Sequence, residues 1–449
     1  MTEGPYLKKI LMFSVPLIFT GLLQMIYNTA DVIVVGRFAG GTSLAAVGAT
    51  GSLVNLVLNL FLGMSMGAGV MTAKYIGARN EKSVFRCVHS AMTLSVICGI
   101  FVAIFGFFMS ENLLILMDSP SDVLPLSTLY LKIYFLGAPG LLIFNFGASI
   151  VRATGDTQRP LYILTFTGLI NVALNLVFVI CFHMDVAGVA AATIIAQYVS
   201  AILIVLRLLR MDNACRLHIS KLRFHKTELS KILVVGIPAG IQNSLFSISN
   251  VIIQTTVNSF GSTAMAGIAA GSNFDSIIYT CTNAVSQTTM TFSSQNMGAK
   301  KYENLGKIYS RCLLLTVLIG GSMGALGYFF RAPIVGIFSK DPAVIEIGAQ
   351  RLALIMPFYF FCSLMDVGGN QLRGMGRSFE PMIISLLGGC GLRLLWIYTA
   401  FPLNPTLINL YWAYPISWSI TFFVHFAFYF IEKHKIKSKA SLEPKAAAG

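Results

Sequence analysis

The sequence predicts an all-α integral membrane protein, and three observations support this fold class. Apolar residues make up 55% of the 449-residue chain, charged residues only 11%, and the mean hydropathy is +0.74. These values lie far from those of soluble proteins. The apolar residues form twelve runs, each long enough to cross a hydrocarbon core of about 30 Å. The chain is also internally duplicated, which predicts twelve transmembrane helices in two six-helix bundles.

The first run follows a positively charged stretch that resembles a secretory signal. It is interpreted as the first transmembrane helix, because no small-residue cleavage site follows and the run continues to residue 36. Backbone groups in lipid must be bonded within their own segment, so the runs are predicted to be helices rather than barrel strands. The predicted helices span residues 8–36, 43–72, 86–109, 124–150, 159–182, 186–210, 231–258, 263–293, 308–330, 343–372, 380–402 and 405–431.

The net charge of +14 has a topological explanation. Most Lys and Arg residues fall on alternate connections, and only Arg37, Arg331 and Lys340 fall on the opposite ones. By the positive-inside rule, both termini and the connection between the halves are predicted to be cytoplasmic in a cell inner membrane. No basic run is interleaved with aromatic residues as in nucleic-acid-binding proteins, so no nucleic-acid partner is expected.

An internal repeat divides the chain into two halves. The stretch RATGDTQRP (152–160) recurs as RGMGRSFEP (373–381), 221 residues later, and KYIGARNEK (74–82) recurs at the same offset as QNMGAKKYE (295–303). Six helices per half is an even number, so both halves enter the bilayer from the same side, and their pseudo-twofold axis runs along the membrane normal. The predicted segments are an N-terminal lobe, a basic cytoplasmic linker, a C-terminal lobe and a cytoplasmic tail, at residues 1–210, 211–230, 231–432 and 433–449. Two like-oriented bundles suit transport by alternating access.

Polar side chains form a stripe on each of two helices. On the first helix the stripe is spaced by 4, 4 and 3 residues and contains Thr20, Gln24, Asn28 and Asp31. On the seventh helix it is spaced by 4, 3, 4 and 4 and contains Asn243, Ser247, Asn250, Gln254 and Asn258. Such stripes predict a wet or ligand-lined cavity, although hydrogen bonding between helices is an alternative.

A carboxylate inside the membrane is a candidate functional group, because it is costly without a partner. Depth along the helices places Asp31, Asn175 and Thr193 together in the outer half of the membrane. A carboxylate, an amide and a hydroxyl offer hard oxygen ligands for an alkali-type cation such as Na⁺, and the carboxylate could instead bind a proton.

Two further acids lie within apolar runs of the second half. The depth of Asp366 and Arg393 makes an ion pair between them possible, whereas Asp275 has no obvious partner and is the stronger candidate for cation or substrate contact. Proline removes a backbone hydrogen bond, so kinks or hinges are expected at four positions inside helices. These are Pro16, Pro139, Pro238 and Pro357.

No catalytic constellation is present in the sequence, and the protein is not expected to be an enzyme. The motifs HExxH and GxSxG and a phosphate-binding loop are absent, so transport would be secondary and driven by an ion gradient. The eight cysteines have no CxxC spacing and are interpreted as small core residues, and no cofactor is expected.

The duplicated motifs resemble those of the multidrug and toxic compound extrusion (MATE) transporters, within the MOP flippase superfamily. The resemblance rests on TAKYIGARNEKSVFR (72–86) paired with SSQNMGAKKYENLGK (293–307), and on VRATGDTQRP with LRGMGRSFEP. It covers about residues 5–432 and implies a cation-coupled antiporter in membrane lipid; separately, a monomer is expected. Such a protein exports organic, often cationic, drug-like compounds in exchange for Na⁺ or H⁺.

The resemblance also implies a set of site residues. The cation site it implies contains Asp31, Asn145, Asn171, Asn175 and Thr193. Tyr130 matches a tyrosine near the same cavity in some members. The stripes, depths and prolines described above add further residues to the substrate or its cavity, Gln24, Asn28, Asn250, Gln254, Asp275, Asp366 and Arg393, with hinges at Pro16 and Pro238. In some members an aspartate replaces Asn175, so here Asp31 would be the sole charge of the first-lobe site. The acids of a second-lobe sodium site align with Phe246 and Cys362, and Asp275 and Asp366 are the candidates to replace them.

Two other functions are compatible with the sequence. A flippase or exporter of lipid-linked or polar biosynthetic products could use a similar fold, but a cavity for anionic cargo should contain several arginines, and these helices offer mainly Asn, Gln, Ser and Met. A receptor or membrane enzyme would bind its ligand without translocating it.

Overall fold

The structure is a computed structural model that describes residues 1–117 and 120–442. The described residues form helices joined by short turns and contain no strand, which confirms the predicted all-α fold. Numbered in chain order, the helices are α1 Tyr6–Ala39, α2 Gly41–Gly77, α3 Glu81–Leu116, α4 Leu124–Leu136, α5 Ala138–Ala153, α6 Gln158–Cys181, α7 Asp185–Leu209, α8 Lys226–Asn258, α9 Ser262–Gly298, α10 Glu303–Phe329, α11 Arg331–Gly336, α12 Pro342–Gly374, α13 Phe379–Thr399 and α14 Leu407–Leu442.

These helices account for the twelve predicted spans within the described residues. Ten are long and apolar enough to cross a membrane, and α4 with α5 forms an eleventh span, bent by 46°. Helix α9 has 37 residues, which makes it about 55 Å long and sufficient to cross, but its many Ser, Thr and Asn residues make it less apolar. The predicted ends at residues 72 and 293 are too early, because α2 and α9 continue as polar helical turns that an apolar pattern does not detect.

The duplication is visible in the backbone. Residues with positive φ occur in pairs 221 positions apart: Gly40 with Gly261, Arg79 with Lys300, and Gly155 with Gly376. The same offset relates the break between α4 and α5 to a 3₁₀ turn at Met356–Phe358 inside α12. The two halves therefore have the same local structure at their turns and at this helix break.

The prolines act differently in different helices. Pro139 lies at the start of α5, directly after the bend, so the predicted kink is confirmed there. Pro357 lies in the 3₁₀ turn of α12. Helices α1 and α8 continue through Pro16 and Pro238, and a hinge role for these two residues stays a prediction.

Two compact units are distinguished by their internal contacts. The N-unit contains Val15–Ser247, and the C-unit contains Met1–Ser14 together with the described residues from Ile248 onwards. The boundaries fall inside α1 and α8, so each of these helices contributes to both units. Within the N-unit, α5 packs against α2, α3 and α7. Within the C-unit, the second part of α12, which corresponds to α5 in the repeat, packs against α9, α10 and α14.

Glycines allow α8 to approach α2 closely within the N-unit. A Cβ atom at Gly63 would overlap the backbone of Gly240, and one at Gly67 would overlap the backbone near Gly236. Larger residues at these positions would force the helices apart. The first part of α8 is therefore fixed to α2 by backbone-to-backbone contact.

The basic linker that follows α7 is folded onto α3 rather than extended. The backbone N–H of His218 donates to Nε2 of His89 at 3.1 Å, and the N–H of His225 donates to Oγ of Ser90 at 2.9 Å. Cys215 is buried in this linker, and burial raises the pKa of its thiol to about 12. Seven of the eight cysteines are buried and Cys181 is exposed; all are free thiols, in keeping with their interpretation as small packing residues.

Candidate functional site

A continuous set of polar side chains crosses three helices of the N-unit. Nδ2 of Asn175 on α6 donates to Oδ1 of Asp31 on α1, and also to Oδ1 of Asn171 at 3.4 Å. Nδ2 of Asn171 in turn donates to Oγ1 of Thr193 on α7, at 3.4 Å. Four of the five residues assigned to a cation site thus lie in one hydrogen-bonded chain, which is called the polar chain below.

The polar chain ends against an apolar cluster one helical turn away. Three valines of one buried cluster each lie one turn from a residue of the polar chain. They are Val34, three residues after Asp31, Val179, four residues after Asn175, and Val189, four residues before Thr193. Because α1 and α6 run in the direction opposite to α7, these valines lie at the same end of the helices. The cluster therefore closes the polar chain at that end.

The last turns of α1 and α6 are π-helical, beside this cluster. They span Val35–Ala39 and Val177–Cys181, and they contact each other. A π-helical turn contains an extra residue per turn and is frequent at functional sites. Both turns follow the polar residues Asp31 and Asn175 directly in the chain.

A single glycine sets the distance between α1 and α6. A Cβ atom at Gly168 would overlap the ring of Tyr27, whose hydroxyl donates to the carbonyl of Thr165 at 3.2 Å. Tyr27 lies one turn before Asp31, and Gly168 lies two turns before Asn175. The close approach at Gly168 therefore holds Asp31 within reach of Asn175.

The charge of Asp31 is not balanced by a basic residue within the described part of the chain, where its hydrogen-bond partner is Asn175. Oδ1 of Asn175 is buried and accepts no hydrogen bond from any residue that the structure describes. Side-chain oxygens of a carboxylate, two amides and a hydroxyl are thus close together, and one of them has an unused lone pair. This donor set fits a small hard cation or a proton.

Other residues predicted around this site lie outside the polar chain. Asn145 donates to the carbonyl of Leu141 in its own helix at 2.8 Å. Gln24 and Asn28 have exposed side chains. Tyr130 is buried in the apolar cluster and stacks on Tyr134, with ring centroids 5.9 Å apart. None of these positions tests the assigned roles, which stay predictions.

The prediction that Asp275 lacks a partner is wrong. Nη2 of Arg351 on α12 donates to Oδ2 of Asp275 on α9 at 2.5 Å, and the hydroxyl of Tyr359 donates to the backbone carbonyl of Asp275 at 3.0 Å. Both charged side chains are largely buried, with 7% exposure for Arg351 and 16% for Asp275. Asp275 is therefore already neutralised within the C-unit.

The ion pair that helix depth made possible between Asp366 and Arg393 does not form among the described residues. Nε of Arg393 donates to Oγ of Ser417 at 3.0 Å, and the guanidinium lies 4.6 Å from the ring centroid of Tyr414. Asp366 has the hydroxyl of Tyr279 as its hydrogen-bond partner. Helical depth is insufficient to predict a pair, because it does not fix the direction in which either side chain points.

The remaining predicted cavity residues lie on α8 in the C-unit. Asn250 and Gln254 have exposed side chains, and Nε2 of Gln254 donates to Oδ1 of Asn258 at 2.9 Å. Their exposure is compatible with contact to a substrate. It does not test that role.

Two partners escaped prediction from the sequence, Arg351 and Tyr279. Arg351 lies nine residues inside α12 and Asp275 thirteen residues inside α9, and both helices start at the same side of the membrane. A comparison of depths could therefore have suggested this pair. Tyr279 lies one turn after Asp275, but no pattern in the sequence indicates its contact with Asp366.

The duplicated halves differ at the polar chain. With the one-residue shift of the first helices, Asp31 corresponds to Ile253, while Asn171 and Thr193 correspond to Leu392 and Tyr414. Ile253 is buried, with 3% exposure. The polar chain is therefore a property of the first half alone.

A comparison with known families gives two matches to this chain. The family described as MatE matches residues 16–177 and again residues 238–399. The two matches start 222 residues apart, as the internal repeat requires. Together they cover most of the chain.

Similar proteins of known sequence are bacterial transporters. YoeA of Bacillus subtilis, a probable multidrug resistance protein, is 24% identical over 439 residues, which is 94% of each chain. NorM of Thermotoga maritima, also a probable multidrug resistance protein, is 24% identical and covers 85% of this chain and 82% of its own. An FAD transporter of Shewanella oneidensis is 24% identical over 86% of each chain.

Solved structures have the same fold. An outward-facing multidrug resistance MATE family transporter of the MOP superfamily matches with a TM-score of 0.91 at 20% identity, over 97% of each chain. A MOP superfamily transporter from Pyrococcus furiosus matches with a TM-score of 0.90 at 20% identity, also over 97% of each chain. At this identity the similarity shows the twelve-helix fold.

Substitution of Gly168 by Ala is expected to separate α1 from α6 and to destabilise the protein. The added Cβ atom overlaps the Tyr27 ring, and overpacking of this kind typically costs about 1–3 kcal/mol. The measurement is thermal unfolding in detergent. In a Tyr27→Ala background the same change should cost little, because the ring has gone, and an equal loss in both backgrounds would contradict the contact.

Single substitutions in the buried ion pair are expected to be more harmful than the double one. Asp275→Asn or Arg351→Gln leaves one buried charge without its partner, at a cost of about 3–5 kcal/mol. The apolar double variant D275L/R351M should recover most of this loss. Reversible unfolding in mixed micelles measures the three differences, and a double variant as unstable as the sum of the two losses would contradict the pairing.

Proposed function

Because this chain belongs to the MatE family and is therefore a multi-pass membrane transporter, we propose that it is a cation-coupled antiporter that exports small organic compounds. In this proposal Na⁺ or H⁺ moves inward down its gradient and drives an organic compound outward by alternating access. The family assignment supports multidrug efflux, and the coupling rests on the polar chain. The protein is a transporter and not an enzyme.

The observation that carries the proposal is the unbalanced charge of Asp31. A carboxylate in a membrane helix needs a counter-charge, and Asp275 has one in Arg351, whereas Asp31 has only the amide of Asn175 in the described residues. A mobile cation is the remaining way to balance this charge. Asp31 is thus the residue at which binding and release of a cation would change the energy of the protein.

The polar chain supports a specific response to the cation. Nδ2 of Asn175 donates to both Asp31 and Asn171, while Oδ1 of Asn175 has no partner. A proton or Na⁺ on Asp31 would favour rotation of this amide, since Oδ1 would then face the positive charge. Rotation would break the bond to Asn171 and through it alter the contact with Thr193. Binding at α1 would in this way change contacts between α6 and α7.

Both coupling ions remain compatible with these residues. Sodium would use the carboxylate of Asp31 and neighbouring amide and hydroxyl oxygens as ligands. A proton would need only Asp31 and an acceptor for the new O–H group, which Oδ1 of Asn175 provides. An ion-gradient experiment distinguishes the two.

The substrate class is argued from the two arginines that lie deep within spans of the C-unit. Arg351 is engaged by Asp275, and Arg393 is engaged by Ser417 and Tyr414, so neither is available for an anion. The exposed amides of the stripes can accept and donate hydrogen bonds with varied partners. These features support neutral or cationic organic substrates. They argue against an anion such as FAD, although FAD transport is the named activity of one relative.

The proposed orientation places both termini in the cytoplasm of an inner membrane. It is supported by the distribution of Lys and Arg on alternate connections. In this orientation Asp31 lies in the outer half of the membrane, on the side from which the cation enters.

Replacement of Asp31 by Asn should reduce gradient-driven efflux to background. The experiment reconstitutes the protein in liposomes and follows export of a fluorescent organic cation. Asp212→Asn is the matched control, since it removes an exposed carboxylate from the linker outside the spans. Undiminished efflux by D31N at equal reconstitution would contradict the proposed role.

The coupling ion is identified by imposing one gradient at a time. Under the proposal, either an inward Na⁺ gradient at equal pH or an inward H⁺ gradient without Na⁺ drives efflux by the parent protein, and D31N responds to neither. Efflux that is equally fast without any gradient would contradict antiport. Movement of the substrate in the same direction as the ion would contradict export.

A further inference from the structure

A basic groove lies in the C-unit, away from the polar chain. The segment that precedes α1 forms one wall, and the first turns of α10 form the other. One cavity of about 800 Å³ is lined by residues that include Lys300, Lys307 and Lys437. A second cavity of about 490 Å³ also contains Lys307 and adds Arg311, so the two are continuous.

The wall formed by the preceding segment is held in place by side chains of the C-unit. Nδ2 of the buried Asn296 donates to the carbonyl of Met1 at 3.3 Å, and Nδ2 of Asn304 donates to the carbonyl of Thr2 at 3.3 Å. Nζ of Lys301 forms an ion pair with Oε1 of Glu3 at 2.6 Å. The groove is therefore a built feature with fixed walls.

The groove carries positive charge that is not balanced by the protein. Lys301 is paired with Glu3, but Lys307, Arg311 and Lys437 are in no ion pair within the described residues. The other carboxylate in the larger cavity belongs to Glu303. Three cations in adjoining cavities favour an anionic ligand.

An apolar surface continues directly from these cations. Leu314 and Leu318 follow Lys307 and Arg311 on one face of α10, at spacings of 4, 3 and 4 residues, and are 45% and 57% exposed. Leu7 at the start of α1 lines the smaller cavity and is also exposed. A cationic groove at the end of a membrane helix, above exposed leucines, matches the headgroup and acyl chain of a lipid.

We propose that this groove binds an anionic glycerophospholipid, with its phosphodiester among Lys307, Arg311 and Lys437 and an acyl chain along Leu314 and Leu318. The lipid comes from the leaflet nearer the amino terminus of α1. Its binding is separate from transport and does not depend on Asp31.

The equivalent position in the N-unit is covered by protein. By the 221-residue offset, Arg86 and Ser90 on α3 correspond to Lys307 and Arg311 on α10. Oγ of Ser90 accepts a hydrogen bond from the backbone of His225, so the linker occupies this surface. The duplicated surface in the C-unit retains its cavity and has a second cation where the N-unit has a serine.

The test is a lipid titration of the full chain in detergent, followed by native mass spectrometry. The probes are phosphatidylglycerol, the zwitterionic phosphatidylcholine, and glycerol phosphate and inorganic phosphate without acyl chains. The variant K307Q/R311Q removes two charges from the groove, and the matched control K82Q/R216Q removes two exposed charges from the N-unit. All four side chains are on the surface, and gel filtration confirms that each variant is folded.

The parent protein and the control are expected to retain one phosphatidylglycerol in preference to phosphatidylcholine. The groove variant should bind phosphatidylglycerol about thirtyfold more weakly, since each basic residue near a membrane surface contributes about 1 kcal/mol. Equal losses in both variants, equal retention of phosphatidylcholine, or equally tight binding of glycerol phosphate or inorganic phosphate would each overturn the proposal. Because the measurement needs no ion gradient, its failure is distinguishable from failure of the proposed antiport.

Discussion

A charge inside a membrane helix must be balanced, and three carboxylates of this protein meet this constraint in different ways. Asp275 is balanced by Arg351, within the same unit. Asp366 interacts electrostatically with the guanidinium of Arg373 and accepts a hydrogen bond from the hydroxyl of Tyr279. Asp31 has an amide partner, Asn175, and is beside an acceptor with an unused lone pair. The ion pair of Asp275 with Arg351 stabilises one fixed structure. In the proposed mechanism the charge of Asp31 is instead balanced by a cation that binds and dissociates.

The constraint explains why one duplicated scaffold contains two different interiors. The backbone has kept matching turns and matching helix breaks in both halves. The side chains have diverged, since the first half has the polar chain and the second half has apolar or aromatic residues at the corresponding positions. The second half instead places its charges in the buried pair of Asp275 with Arg351. Backbone geometry and the distribution of charge have thus changed independently.

The sequence was sufficient to predict the fold, because lipid leaves few alternatives to apolar helices. It was also sufficient to bring together Asp31, Asn175 and Thr193, since all three lie about two turns from the same end of their helices and their depth constrains them strongly. It was insufficient for Asp366 and Arg393, whose partners depend on the direction in which each side chain points. The ends of α2 and α9 that extend beyond the hydrocarbon core were also not predicted, because their polar turns show no periodic pattern of apolar residues.

The division of α1 between the two units has a consequence for synthesis of the protein. Residues 1–14 are made long before the rest of their unit, whose other residues begin at Ile248. At a translation rate of roughly 5–20 residues per second, the start of α1 remains without its partners for about 10–50 seconds. The apolar helix is accommodated by lipid in the meantime, but Asn296 and Asn304 cannot yet bond to its leading segment. Residues 1–14 are therefore made early but are among the last to reach their final contacts, and the C-unit is complete only when they join it.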